Sequence, residues 1–267
     1  MARSTTSASP VTVSVRNGVA SIVLTRPERR NALDAECRAL LLAAVEQVES
    51  SEAIGAAILT GTGPAFCSGQ DLREPGMDPS AKGGARVSEI LDVAYTPLVL
   101  ALSGCRKPLV CAVNGPAFGG GVNLALACDV VVAARSARFV QPYCHLGLTA
   151  DAGGSFFLPR MVGRARALGL LLLGDAIDAD TAQEWGMIWK AVDDGDLSAT
   201  AQGIAERLAR GPTAALVSIK KAVQVTFEHT LKQQLDHERD AQHVLERSED
   251  YRERIAAFLA KRSPASR

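Results

Sequence analysis

The strongest constraint on the fold lies between Leu109 and Val132, LVCAVNGPAFGGGVNLALACDVVV. This stretch reads as a buried apolar strand, a turn on Asn114-Gly115-Pro116, three consecutive glycines (Gly119, Gly120, Gly121), a short apolar helix and a second apolar strand. Glycines at a strand-to-helix junction let a ligand come close to the backbone. The amides opening the next helix have no partner inside it and lie at its positive end. Such a junction suits an anion, or an oxygen that becomes negative during a reaction. A tight turn in an α/β core accounts for the same spacing equally well, so the rest of the chain has to decide.

The 267 residues suffice for a large core in one or two domains. Hydrophobic residues make up 47% and charged residues 22%, the balance of an ordinary globular chain. Formal net charge is +0, which argues against nucleic acid or an anionic membrane as the main partner. No apolar run is expected to reach the length that spans a bilayer. Residues 1–10 (MARSTTSASP) read as a flexible polar tail. The tail lacks the apolar centre of a signal peptide and holds a single arginine, so the expected location is the cytoplasm. Six cysteines are scattered without a C-x-x-C pair. Neither a zinc site nor a redox motif is indicated, and buried reduced thiols are expected.

Along the chain, Val11–Val15 and Val19–Leu24 flank Asn17-Gly18 as a hairpin. Asp34 is placed to cap a helix whose apolar face carries Cys37, Leu41, Val45 and Val48. Ala56–Thr60 reads as a buried strand. The loop from Gly61 to about Gly84 is long, and loops of that length are usually functional or mobile. A helix from about Arg86 to Ser103 should kink or restart at Pro97. After the central stretch come a short strand at Arg138–Val140 and a second glycine-bearing loop, Leu146–Gly154. Beyond Arg164 the pattern is almost wholly helical, with one β-like interruption at Ile188–Val192. Three amphipathic segments close the chain, at about Pro212–Phe227, Leu231–Arg247 and Asp250–Lys261. Their apolar faces need partners, in the body or in another subunit. This order predicts an α/β core followed by a helical C-terminal region.

Three places join a backbone-exposing turn to polar residues: Phe66–Leu72, Gly119–Asn123 and Asp151–Gly154. None matches a dinucleotide fingerprint, a phosphate loop or a nucleophile elbow. His237 and His243 fall on a polar helix and read as solvated. Asp151 taken alone reads as the cap of the segment after it.

Taken together, these residues resemble the crotonase superfamily, the enoyl-CoA hydratase/isomerase family. The resemblance is carried by Arg26-Pro27 with Asn31-Ala32-Leu33, by AFCSGQDL (Ala65–Leu72), by NGPAFGGGVNLALACD (Asn114–Asp129) and by the D-GG segment ending in Leu158-Pro159-Arg160. It spans nearly the whole chain after residue 10. It implies a crotonase fold: a repeated ββα spiral core at 11–195 and a helical C-terminal trimerisation region at 196–263 that covers CoA. It also implies acyl-CoA substrates whose enolate oxygen is held by two backbone amides, by position those of Gln70 and Gly120.

Hydratases of the family use two glutamates, where this chain has Asn123 and Tyr143. Asparagine is a poor proton acceptor and a phenol titrates near 10, so an ordinary hydratase mechanism is not expected. Asp151 lies where the branches that isomerise dienoyl-CoA and 1,2-epoxyphenylacetyl-CoA carry a catalytic aspartate. Gly121–Leu126, Ala133–Ala137, Val162–Ala167 and Glu184–Trp189 with Val192-Asp193-Asp194 are most similar to the epoxyphenylacetyl-CoA branch of phenylacetate catabolism. One carboxylate suffices for an isomerisation, since it removes a proton and returns it elsewhere on the same enolate.

The resemblance further implies substrate binding by Asn123, Tyr143, Ser68, Leu72, a basic residue at Arg73, and Phe258 and Lys261, the last two reaching a neighbouring subunit's CoA. Asn123 is read as a donor that orients substrate or Asp151, or else as a local turn contact, and Tyr143 either lines the acyl pocket or is a core aromatic with a satisfied hydroxyl. His145 either assists proton transfer or packs. The family's assemblies imply a homotrimer or a dimer of trimers. No metal or redox cofactor is expected, CoA being part of the substrate. Rival expectations are a Δ3,Δ2-enoyl-CoA or dienoyl-CoA isomerase, an enoyl-CoA hydratase, an RNA-binding homologue and an inactive one.

Overall fold

A computed structural model describes residues 9–80 and 86–263. Most of the N-terminal tail and the last stretch of the Gly61–Gly84 loop lie outside the described residues. Among the described residues the main sheet has six strands, an antiparallel hairpin extended by four parallel strands. β1 (Val11–Arg16) and β2 (Val19–Leu24) form an antiparallel hairpin. Its turn holds Asn17 at φ 53° and Gly18 at φ 74°, the pair of positive angles that matches the twist of the flanking strands. β3 (Ala56–Gly61), β4 (Leu109–Val113), β6 (Val130–Ala134) and β9 (Lys190–Val192) then add in parallel. β4 is buried at every residue, as expected of a parallel strand covered on both faces. A smaller sheet joins β5 (Ala117–Phe118), β7 (Arg138–Val140) and the two-residue β8 (Ile177–Asp178).

One face of the main sheet packs against α1 (Ala35–Ser50), α3 (Thr96–Gly104), α4 (Gly120–Leu126) and α5 (Gly154–Leu173). Asp34 caps α1 as expected, accepting from Cys37 N–H at 2.9 Å. α5 is a helical stretch broken at Gly163, where φ is 77°. The opposite face is covered by α7 (Leu197–Ala209), whose Leu197, Ala201 and Ala205 are buried on β3, β4 and β6. The region expected to begin at residue 196 therefore opens with a helix that belongs to the core. α6 (Ala179–Glu184) packs beside β9. α8 (Thr213–Val225), α9 (Leu231–Leu245) and α10 (Glu249–Leu259) follow, with Ile219, Val223, Phe227, Leu231 and Val244 exposed.

Between β3 and β4, α2 (Val87–Ile90) runs without a break into a π-helical turn, Leu91–Tyr95, and on into α3. Thr96 N–H donates to the Leu91 carbonyl, five residues back. The irregularity expected at Pro97 is thus absorbed one turn earlier. The expectation about membrane-spanning length needs correction here. Val87–Gly104 is 18 residues long with a mean hydropathy of 1.3, enough to cross a bilayer by length and composition alone. Individual apolar runs within it are short, but an 18-residue helix tolerates the acidic residues between them. In the fold, Tyr95, Leu98 and Leu102 are buried and the helix packs on α1.

Candidate active site

Two asparagines set the first wall of the site. The Asn31 carboxamide accepts from Arg26 N–H and donates to the carbonyls of Thr62 and Ala65, each at 2.9 Å. Asn114 accepts from Gly61 N–H at 3.1 Å and donates to the Gly63 carbonyl at 3.0 Å. These contacts tie the Arg26–Asn31 loop, the end of β3 and the end of β4 together, and they explain why both motifs carry an asparagine.

The segment that follows, Cys67–Asp71, is held on both sides. Leu33 N–H donates to the Gly69 carbonyl at 2.8 Å, and Asp71 N–H donates to the Leu33 carbonyl at 3.1 Å. Successive amides of an extended chain point to opposite sides, so the Gln70 N–H faces away from Leu33. The Gly119–Gly121 turn lies beside this segment. Phe118 N–H donates to the Cys67 carbonyl at 3.0 Å. A Cβ on Gly69 would sit 3.3 Å from the Gly120 nitrogen.

The three glycines have different reasons. Gly119 has φ 48° and ψ −117°, outside the range of most side chains. Gly121 abuts the Cys67 carbonyl so closely that a Cβ would collide with it. Gly120 has room, with a Cβ meeting Tyr95 at 3.6 Å. Among the described residues neither the Gln70 nor the Gly120 N–H has an acceptor. Both residues line one cavity of about 340 Å³.

Asp151 stands in the wall of the same cavity and is its only carboxylate among the described residues. It does not cap α5. The N-cap is Gly153, without a side-chain bond, and Asp151 offers only its main-chain carbonyl to Gly154 N–H at 2.8 Å. Its carboxylate instead accepts from the Tyr143 hydroxyl at 2.6 Å. Burial pushes the Asp151 carboxyl up, against the hydrogen bond from Tyr143, which pulls it down. Burial first, and then the neighbouring carboxylate, push the Tyr143 phenol far up, so it stays protonated.

Behind this pair, Asn123 is fully buried. Its Nδ2 donates to the Tyr143 hydroxyl at 3.0 Å and to the Asp151 carbonyl at 2.8 Å, and its Oδ1 accepts from Gln141 at 2.8 Å. Of the two roles expected for Asn123, orienting substrate or orienting Asp151, its bonds are those of the second, and it does not line the cavity. With every polar atom engaged below the wall, it orients the groups that do line the cavity.

Ser68, Leu72 and Tyr143 line the cavity with Gln70, Gly120 and Asp151. Arg73 does not. It lies exposed outside the wall, and the cation at the cavity wall is Arg30, held at φ 50° beside Ser68. Phe258 and Lys261 lie at the end of α10, away from this chain's own cavity, with Phe258 78% exposed. His145 is exposed and lines neither cavity. Cys67 adjoins the site, but burial pushes its thiol up to about 12, so it offers no thiolate.

A second cavity of about 380 Å³ adjoins the first across Asp151, Tyr95 and Leu148. Val87, Leu91, Val99 and Leu100 give it an apolar wall. Three residues near the site gave little signal in the sequence. Arg38 occupies a position among the apolar residues of α1, Glu74 sits in a loop, and Tyr95 lies on a helix expected to kink. The available clue was Arg38 itself, a charge adjoining Cys37 on the inward face.

The chain matches the family model described as enoyl-CoA hydratase/isomerase over residues 14–266. It is a member of the enoyl-CoA hydratase/isomerase, or crotonase, family. Among relatives of this crotonase, the 1,2-epoxyphenylacetyl-CoA isomerase of Escherichia coli is 48% identical over 94% of the chain and 95% of its own length. The 4-chlorobenzoyl coenzyme A dehalogenase-2 of an Arthrobacter species is 34% identical over 96% and 92%. The crystal structure of an enoyl-CoA hydratase from Bacillus anthracis superposes with a TM-score of 0.90 at 30% identity, over 96% of this chain and 98% of that one.

Proposed function

We propose that this crotonase isomerises an acyl-CoA thioester by holding its enolate and shuttling one proton, with 2-(1,2-epoxy-1,2-dihydrophenyl)acetyl-CoA as the favoured substrate and oxepin-CoA as product. The observation that carries the reading is Asp151, the lone carboxylate among the described residues of the wall that also holds the Gln70 and Gly120 amides. Asp151 removes a proton from the carbon next to the thioester. The electron pair moves onto the thioester oxygen, where the two amides receive the charge. The carbon–carbon bond shared by the epoxide and the six-membered ring breaks, which gives the seven-membered oxepin, and Asp151 returns the proton to another carbon of the delocalised enolate. Nothing is added or lost, and no metal or redox cofactor is called for.

Two features support an isomerase over a hydratase. Positioning a water and delivering a proton is work usually divided between two groups, and the Asn123 and Tyr143 positions carry no carboxylate. The relative at 48% identity is an isomerase of this substrate. The adjoining apolar cavity favours a second reading, a Δ3,Δ2-enoyl-CoA or dienoyl-CoA isomerase acting on a longer acyl chain. Phe258 and Lys261, with the exposed apolar residues of α8–α10, fit a trimer or dimer of trimers that completes the CoA site, in the cytoplasm.

The test is parallel turnover of the ring epoxide, a β,γ-unsaturated acyl-CoA and crotonyl-CoA. The reading expects conversion of the epoxide and a loss of about 10²–10⁴-fold in Asp151→Asn. Hydration of crotonyl-CoA as the dominant activity, or full activity in Asp151→Asn, would overturn it.

A further inference from the structure

We propose that Arg38, Glu74 and Tyr95 are positioning residues that grip the Gln70 carboxamide and thereby aim the Gln70 amide hydrogen at the thioester oxygen. This rests on the oxyanion role proposed above for Gln70.

The Gln70 side chain spends all its hydrogen-bonding capacity on this grip. Its Oε1 accepts from Arg38 Nη1 at 2.8 Å and from the Tyr95 hydroxyl at 3.0 Å. Its Nε2 donates to Glu74 Oε2 at 2.7 Å and to the Asp71 carbonyl at 3.1 Å. A carboxamide has two acceptor sites and two donor hydrogens, and all are used. Arg38 in turn forms a two-point pair with Glu74, Nη1 and Nη2 donating to Oε2 and Oε1 at 2.9 and 2.8 Å. The Arg38 and Glu74 side chains are 3% and 9% exposed. The guanidinium carbon lies 5.2 Å from the centre of the Tyr95 ring.

A buried ion pair is a weak way to gain stability, because apolar residues of similar volume do as well or better. What this pair supplies is a fixed geometry around one side chain. The Gly69 carbonyl and the Gln70 N–H share one planar peptide unit, so the Leu33 bridge sets the side to which that N–H faces. A single bond to the carbonyl still lets the plane tilt about the bond axis. Four bonds to the Gln70 side chain hold that tilt. Two distant segments, α1 and the π-helical turn, join the loop after Gln70 to make them.

The test uses a reaction that needs the oxyanion site and Asp151 but no isomerisable bond: uptake of deuterium at the α-carbon of butyryl-CoA in D2O, followed by NMR. Gln70→Ala keeps the backbone amide and removes the handle. The paired change Arg38→Met with Glu74→Met removes both charges together, and Tyr95→Phe removes one bond. Exchange kcat is expected to fall about 100-fold in Gln70→Ala and in the paired variant, the scale for a small misplacement of a catalytic group. KM should be unchanged, with a smaller loss in Tyr95→Phe. Thermal unfolding of each variant separates a folding defect from a kinetic one, and Gln70→Ala with Tyr95→Phe carry the test if the paired variant does not fold. Wild-type exchange rates in folded Gln70→Ala would overturn the grip. Failure of the wild-type enzyme to exchange at all would overturn the oxyanion reading beneath it.

Discussion

The Tyr143 hydroxyl donates to Asp151 Oδ1 at 2.6 Å while accepting from Asn123 Nδ2 at 3.0 Å. The donor from below leaves the phenol hydrogen one direction to point, toward the carboxylate. Tyr143→Phe therefore takes away a bond that favours ionised Asp151 and leaves burial opposed only by the backbone hydrogen bond from Asp151's own amide. The Asp151 carboxyl should rise further, and the base must be ionised to act. The acid limb of the kcat/KM profile is expected to move to higher pH in Tyr143→Phe. An unmoved limb would show that Tyr143 does not tune the base.

Asp151 should also weaken the fold at neutral pH. Its carboxyl is raised in the folded state, chiefly by burial. A group with a raised folded pKa contributes stability below its unfolded pKa and loses it as pH rises through the folded value. At neutral pH the ionised carboxylate is therefore a burden that Asp151→Asn lifts. The variant should melt at a higher temperature than wild type at pH 7, with the difference shrinking as pH falls through the raised folded value and gone below about pH 4, where both states are protonated. Melting curves across that range check the sign.

Adjacent glycines should respond differently to the same change. Gly121→Ala forces a methyl into the Cys67 carbonyl, and overpacking of this kind costs about 1–3 kcal/mol or more. Gly120→Ala meets Tyr95 at 3.6 Å, an ordinary contact, so the protein should fold normally. Its methyl faces the cavity side of the turn, and activity should drop with little change in Tm. Denaturant titration and turnover of the two variants separate these outcomes.

Arg30 is the cation in the cavity wall among the described residues. Arg30→Ala should raise KM for acyl-CoA by about fivefold at low salt, the scale of an exposed ion pair. That difference should narrow as salt screens it. Arg73→Ala should leave KM unchanged. Saturation curves at two ionic strengths distinguish the two arginines.

Features set by neighbouring residues were readable in the sequence. The Asn17-Gly18 turn, the Asp34 cap and the β4–turn–α4–β6 stretch are each specified within a few positions, and the structure has them where the residues place them. The two-residue β8 was not readable, since so short a segment has no period. Which of its two expected roles Asn123 takes was not readable for a related reason. Its neighbours in sequence are apolar, while its partners, Gln141, Tyr143 and Asp151, arrive from the stretch between β7 and α5. Arg38, Glu74 and Tyr95 carried no joint signal, because their meeting point is created by tertiary packing alone.

The π-helical turn at Leu91–Tyr95 gives the site a dependence on counting. An α-helix rotates about 100° per residue, and a π turn accommodates one residue more than a regular turn would. Deleting a single residue there, with no change of chemistry, would restore a regular helix and swing Tyr95 off the Gln70 side chain. A homologue with an identical set of polar residues and a helix one residue shorter would lack this contact. Among relatives, then, an insertion or deletion in this helix is as informative about the site as any substitution within it.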